Sequence, residues 1–235
     1  MYYGYGYGMN SSYLLVLIGV VICMLASFKM NSTFRKYSSM RNHSGITGRE
    51  AAEQILRRAG IYDVRVEHVA GNLTDHYDPR SKVLRLSDAT YNSASVAALG
   101  VAAHECGHAI QHDTGYVPLQ IRGALVPVVN FGSMIAWPLI LLGLFFTSRS
   151  SGMFLNLGIL AFSLAVLFQI VTLPVEFNAS GRAIRILGGS GLLYEDEVNA
   201  TKKVLFAAAL TYVAGAISSV LQLLRILMIA NNRRN

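Results

Sequence analysis

The sequence predicts a mainly α membrane protein of about four transmembrane helices that carries a small α+β segment in water. Two observations lead there. Hydrophobic residues make up 53% of the 235-residue chain and charged residues only 14%, against roughly 25% charged in ordinary soluble domains. The charges are also segregated, leaving four long stretches almost free of them. This composition excludes an intrinsically disordered chain and a basic nucleic-acid-binding domain, and it argues against a fully soluble enzyme. A net charge of +7, from 20 Lys+Arg against 13 Asp+Glu, would mark a polyanion binder in a soluble protein. In so apolar a chain the positive-inside rule is the better reading. Two cysteines cannot build a disulfide framework.

The elements follow in order. Residues 1–12, with the low-complexity run MYYGYGYG, read as a flexible external tail with interfacial tyrosines. Residues 13–30 form the first apolar run, short for the roughly 20 residues a spanning helix needs, with Lys29 able to snorkel at its end. Its positive charges, Lys29, Arg35, Lys36 and Arg41, follow the apolar run. A cleaved signal peptide carries them before it, so an uncleaved anchor with its N-terminus outside is expected.

Residues 31–122 read as a small folded part. Thr47-Gly48-Arg49-Glu50 is a capping box opening a helix through Ala51, Ala52, Ile55 and Leu56 that stops near Gly60. Alternation at Val64–Val69 and again at Lys82–Ser87 predicts two strands. Gly71-Asn72 and Asp78-Pro79-Arg80-Ser81 signal turns between them. A long helix rich in Ala and Gly is expected from about Ser95 to His112, stopping before Gly115.

Residues 123–148 and 150–173 give the second and third spanning helices, with Arg149 between them. Residues 174–203 return to the side of the small folded part. Pro174 is expected to break or restart the helix there, a short helix reaches about Leu187, and Gly188-Gly189 ends it. Glu195, Asp196 and Glu197 suit the N-terminus of the last helix, where the macrodipole favours acids. That helix covers 204–230, interrupted by Arg225. No repeat at a fixed period is present.

The side reached after the first span holds Lys29, Arg35, Lys36, Arg41, Arg122, Arg182, Arg185, Lys202 and Lys203 near the span ends. The other side holds Arg149, Arg233 and Arg234. The richer side is therefore expected to be cytoplasmic, with both termini outside. Arg233 and Arg234 run against this, and a last helix that lies in the interface or re-enters is the alternative.

The chemistry concentrates in His104-Glu105-Cys106-Gly107-His108. On a helix, residues i and i+4 share one face. Two imidazoles so placed bind one Zn²⁺, and the adjacent Glu reaches the metal's water as general base. Ala102, Ala103, Gly107 and Ala109 are small neighbours that let this helix sit deep in a core. A catalytic zinc needs a third protein ligand and an open position. His112 is one turn further on, but its Cα lies about 12 Å from that of His104 in a continuous helix, too far to share the ion. The metzincin spacing would need a histidine at position 114, which is Thr114. Glu176, in Pro174–Ser180 at the end of the third span, is the better candidate. Two spans separate it from the HExxH, so both fall on the same side. Cys106 faces away from the metal on a regular helix.

Leu73–Leu86 (LTDHYDPRSKVLRL), Ala102–His112 (AAHECGHAIQH), Ala124–Phe131 (ALVPVVNF) and Leu173–Ala179 (LPVEFNA) together resemble the YugP-type family of bacterial membrane zinc metallopeptidases. The resemblance covers about residues 30–230. More distantly the chain is similar to the HtpX and CAAX-prenyl-protease gluzincins. The resemblance implies a zincin-like fold for the cytoplasmic part, a zinc-dependent endopeptidase activity, His104, His108 and Glu176 as zinc ligands, and Glu105 as catalytic base. It implies a multi-pass protein of the bacterial plasma membrane, acting on peptides or membrane proteins, with quality control of membrane proteins as the role. The distant relatives carry an Asp four residues after the Glu ligand, where it supports a ligating histidine. Here that position is Ser180, so support is expected from elsewhere, with Asn178 the candidate.

The tetrahedral oxyanion of peptide hydrolysis also needs a donor. His112, His76, Tyr77 and Arg182 are candidates, and the sequence does not choose among them. By position, Lys82–Ser87 is the candidate strand edge for an extended substrate. The rivals are a catalytically silent membrane scaffold retaining the fold, a transporter, and a protease cutting inside the bilayer. Intact ligands and base argue against the first. Asn130, Asn156, Gln169, Gln222 and Arg225 are too sparse for the ion path of the second. The charged segment preceding the HExxH helix argues against the third.

Overall fold

The computed structural model describes residues 11–146 and 151–232. The expectations that rest on the Tyr-Gly tail, on Arg149, and on Arg233 and Arg234 lie outside the described residues. The elements run α1 (Ser11–Ser38), α2 (Gly48–Arg58), β1 (Arg65–His68), β2 (His76–Asp78), β3 (Val83–Leu86), α3 (Val96–Asp113), α4 (Val117–Phe145), α5 (Ser151–Gly189) and α6 (Glu195–Asn232). Four of them, α1, α4, α5 and α6, are long and apolar enough to cross a membrane. Leu17, Met24, Phe28, Phe131, Met134 and Leu160 point outward on three of these helices, as side chains bathed in lipid do.

The chain divides into two compact units. Of the described residues, the first takes in 11–25, 124–146, 151–170 and 213–232. Inside it, helices approach closely at small residues: a Cβ on Gly19 would lie 2.8 Å from Ser218 Oγ, and one on Gly143 2.6 Å from the Leu155 nitrogen. Such stripes let helices meet where no water drives them together. Arg225, the charge inside the last apolar run, sits 4.9 Å from the centre of the Tyr13 ring, a cation–π contact.

The second unit comprises residues 26–123 and 171–212. Thr47 caps α2: its hydroxyl accepts from the Glu50 N–H and the Glu50 carboxylate accepts from the Thr47 N–H, closing the capping box. Ser95 caps α3 by accepting from Ala98 N–H at 3.1 Å. The core joins Ile55 and Leu56 of α2, Leu84 and Leu86 of β3, Leu99, Ala102 and Ala103 of α3, and Ala183 and Leu187 of α5.

The sheet has the order β1-β3-β2. β3 pairs parallel with β1, Val66 opposite Leu84, and antiparallel with β2, Tyr77 opposite Leu84. The stretch expected to offer a free edge, Lys82–Ser87, is therefore the centre of the sheet. The edges are β1 and the short strand His76–Asp78, which no sequence pattern predicted. Three residues are too few to show an alternation, so pairing with β3 rather than local pattern makes this strand.

Pro174 does not break the third spanning helix, which continues to Gly189. Val175, Ala179, Ala183 and Leu187, spaced four residues apart, are all fully buried. This stripe packs the helix down beyond the proline and offsets the hydrogen bond that proline removes. At the start of α6, Glu197 does more than complement a macrodipole. It is fully buried, and it accepts from the Tyr194 N–H at 2.9 Å and the His43 N–H at 2.7 Å.

Candidate metal centre

His104 and His108 stand on adjacent turns of α3 with ring centres 4.7 Å apart and planes at 87°. Glu176 reaches them from α5. Its Oε2 lies 3.3 Å from His104 Nε2 and 3.6 Å from His108 Nε2. That oxygen is buried and has no hydrogen-bond partner. A buried carboxylate oxygen facing two imidazole nitrogens without a hydrogen bond is costly. A cation between the three removes that cost.

The spacing fits one ion. The three ligand atoms all lie within 4.8 Å of one another. Ligands about 2.0–2.1 Å from a tetrahedral zinc stand about 3.4 Å apart, close to the 3.3 and 3.6 Å separating Glu176 Oε2 from the two imidazole nitrogens. Two imidazoles and a carboxylate are a donor set zinc accepts. The field agrees: burial pulls the His108 pKa down, but the negative charges of Glu176 and Glu105 outweigh it and hold His108 above the ordinary value. The centre thus stabilises positive charge.

Glycine brings the two helices together. A Cβ on Gly107 would lie 2.7 Å from the Ala179 carbonyl oxygen and 3.1 Å from its Cα, so only glycine lets α3 lie this close to α5. Cys106 turns the other way, fully buried with Sγ 3.6 Å from the Ala52 carbonyl oxygen. Burial raises its thiol pKa, so it stays a core thiol.

Each histidine is held from behind. His108 Nδ1 is 3.0 Å from Gln111 Oε1. The Gln111 amide nitrogen donates to the Val175 carbonyl oxygen at 2.8 Å and to Asn178 Oδ1 at 3.0 Å. The nitrogen is thereby identified, Oε1 must accept, and the proton sits on His108 Nδ1. Nε2 is left with its lone pair toward Glu176. His104 Nδ1 lies 3.1 Å from Ser180 Oγ. The expectation that support must come from elsewhere than Ser180 is thus corrected. A hydroxyl is long enough because Gly107 brings the helices within reach. Asn178 touches neither histidine; it acts through Gln111 and also accepts from Arg182 Nε at 2.8 Å.

The remaining sequence candidates lie elsewhere. His112 Nδ1 and Tyr77 Oη are 2.9 Å apart and line a separate pocket with Asp63, Lys82 and Asp113. Burial, then the charges of Asp63, Asp78 and Asp113, push the Tyr77 pKa up to about 12. His76 is tied to the segment just before its strand, with Nδ1 2.9 Å from the Thr74 carbonyl oxygen. Arg182 lies over the Tyr116 ring and lines a different groove with Arg58 and Arg185.

The pocket at the centre has a volume of about 230 Å³ and contains His104, Glu105, Asp75, Thr211 and Tyr212 among walls of Met30, Leu73, Val101, Val204, Leu205 and Ala208. Arg122 flanks the other face of Glu176, its Nη1 3.6 Å from Oε1. Sequence reading missed Gln111, Arg122 and Tyr212. Gln111 carried a signal, as a polar residue one turn past His108 on a helix otherwise lined with alanine. Tyr212 carried none, since it lies inside an apolar run.

Residues 12–231 match the family described as "Putative neutral zinc metallopeptidase". The chain is 48% identical over 221 residues, 94% of its length and 97% of the relative's, to the "Putative membrane protease YugP" of Bacillus subtilis (strain 168). No solved structure matches it.

Proposed function

The chain belongs to the neutral zinc metallopeptidase family whose pattern spans its residues 12–231, and we propose that it is a gluzincin-type endopeptidase working at the cytoplasmic face of the bacterial plasma membrane. His104, His108 and Glu176 hold the zinc, and Glu105 is the general base. The observation that carries this is the buried, unpartnered Glu176 Oε2 set between two imidazole nitrogens, in a unit whose pocket also holds Glu105.

Held by His104, His108 and Glu176, a zinc ion would supply Lewis acidity for the scissile carbonyl and the attacking water. Glu105 takes the proton of the attacking water and passes it to the leaving amine. Gln111 and Ser180 keep the imidazoles oriented. The apolar walls of the pocket suit substrates with an apolar side chain beside the scissile bond, as unfolded peptides and membrane proteins offer. The excess of Lys and Arg on the side of the HExxH supports the cytoplasmic orientation.

The test is zinc content and cleavage of unfolded protein substrates by the full-length chain in detergent. Glu105→Gln should keep zinc and lose cleavage, whereas Glu176→Ala should lose zinc. Cleavage by Glu105→Gln at the wild-type rate would overturn the mechanism. Wild type that binds zinc but cleaves nothing would favour the silent scaffold. A cytoplasmic N-terminus in reporter fusions would overturn the orientation.

A further inference from the structure

We propose that Tyr212 is a catalytic residue whose phenol donates a hydrogen bond to the oxyanion formed on the scissile carbonyl. This rests on the peptidase reading above. A tetrahedral oxyanion needs a donor aimed at the place where its charge develops. The polar groups in the pocket are Asp75, His104, Glu105, Thr211 and Tyr212. His104 and Glu105 have their roles. Asp75 cannot donate as a carboxylate, and its oxygens accept from the Ser87 N–H and hydroxyl, each at 2.8 Å. The Thr211 hydroxyl donates to the Ala208 carbonyl oxygen at 2.7 Å within its own helix. Tyr212 remains as the donor in the pocket lining whose hydroxyl has no role assigned above.

Its position fits. The phenol lines the same pocket as the ligand His104 and the base Glu105. Glu176 does not depend on it, because Arg122 flanks Oε1. The residue is 37% exposed and forms part of the pocket wall. A phenol about halfway along a largely apolar helix gains nothing there from a polar tip unless that tip has work to do. In the reaction Tyr212 gives up no proton: Glu105 carries the proton from water to the leaving amine, and the phenol O–H only shares its hydrogen with the oxyanion.

The experiment uses full-length Tyr212→Phe, which keeps the ring and its packing. Zinc content and melting temperature should equal those of wild type. Turnover should fall about 10²-fold with KM little changed, the loss expected of one oxyanion donor. Independently of turnover, a phosphinic peptide that mimics the tetrahedral state should bind about 10²-fold more weakly, while the uncleaved peptide binds equally well to Glu105→Gln with or without Tyr212→Phe. Wild-type turnover in Tyr212→Phe, or undiminished phosphinic-peptide binding, would overturn the assignment. So would loss of zinc, which would make Tyr212 a holder of Glu176. Failure of the peptidase reading looks different: zinc-loaded wild type would neither cleave nor bind the phosphinic peptide.

Discussion

Gln111 Oε1 accepts from His108 Nδ1 at 3.0 Å, and this contact sets which nitrogen of the histidine faces the metal. The glutamine is fully buried and its amide nitrogen has two acceptors of its own, so it has one orientation. Gln111→Leu should leave the protein folded and weaken zinc binding about 10–100-fold, read by competition with a chromogenic chelator. Unchanged zinc affinity would show that His108 needs no support.

Gly107 governs the approach of α3 to α5. Gly107→Ala places a methyl 2.7 Å from the Ala179 carbonyl oxygen. The helix-propensity gain of up to about 1 kcal/mol should be outweighed by overpacking of about 1–3 kcal/mol. A lower melting temperature and weaker zinc binding are expected together, because the same two helices carry the ligands. Gly181→Ala is the control on α5, where an added Cβ meets nothing within 4 Å, and it should not destabilise.

Leu73 lines the central pocket with a φ of +56°, a left-handed conformation that costs a branched side chain of order 1–3 kcal/mol. Asparagine adopts it more readily. Leu73→Asn should therefore keep or raise the melting temperature while reducing the preference for apolar residues next to the cleaved bond, measured on a peptide library. An unaltered cleavage preference would remove Leu73 from the substrate wall.

The capping box of α2 makes stability depend on acid. Glu50 has a lowered pKa because the Thr47 N–H, then its hydroxyl, donate to the carboxylate. A depressed folded value means the contribution is complete above the unfolded value of about 4.3 and is lost as pH falls through the folded one. Glu50→Gln keeps the box geometry and should flatten the acid limb of melting temperature against pH. An acid limb as steep as wild type would place the effect on other carboxylates.

What the sequence determined by itself rests on local spacing. The i, i+4 pair of His104 and His108, the caps at Thr47 and Ser95, and the apolar runs of the four long helices each depend on residues a few positions apart, where the 3.6-residue period acts. Counting spans even placed Glu176 on the side of the HExxH. The tertiary structure decided what depends on distant partners. Ser180 meets His104 across 76 residues, and Gln111 meets Val175 across 64. β3 is central only because β1 and β2 pair on either side of it. α5 runs through Pro174 only because a buried stripe holds it. Tyr212 enters the pocket because α6 lies beside α3, where Gly100 leaves room for Thr201. Hydrogen bonds and close packing between distant segments leave no period in the chain, so these features exist only once the helices have met.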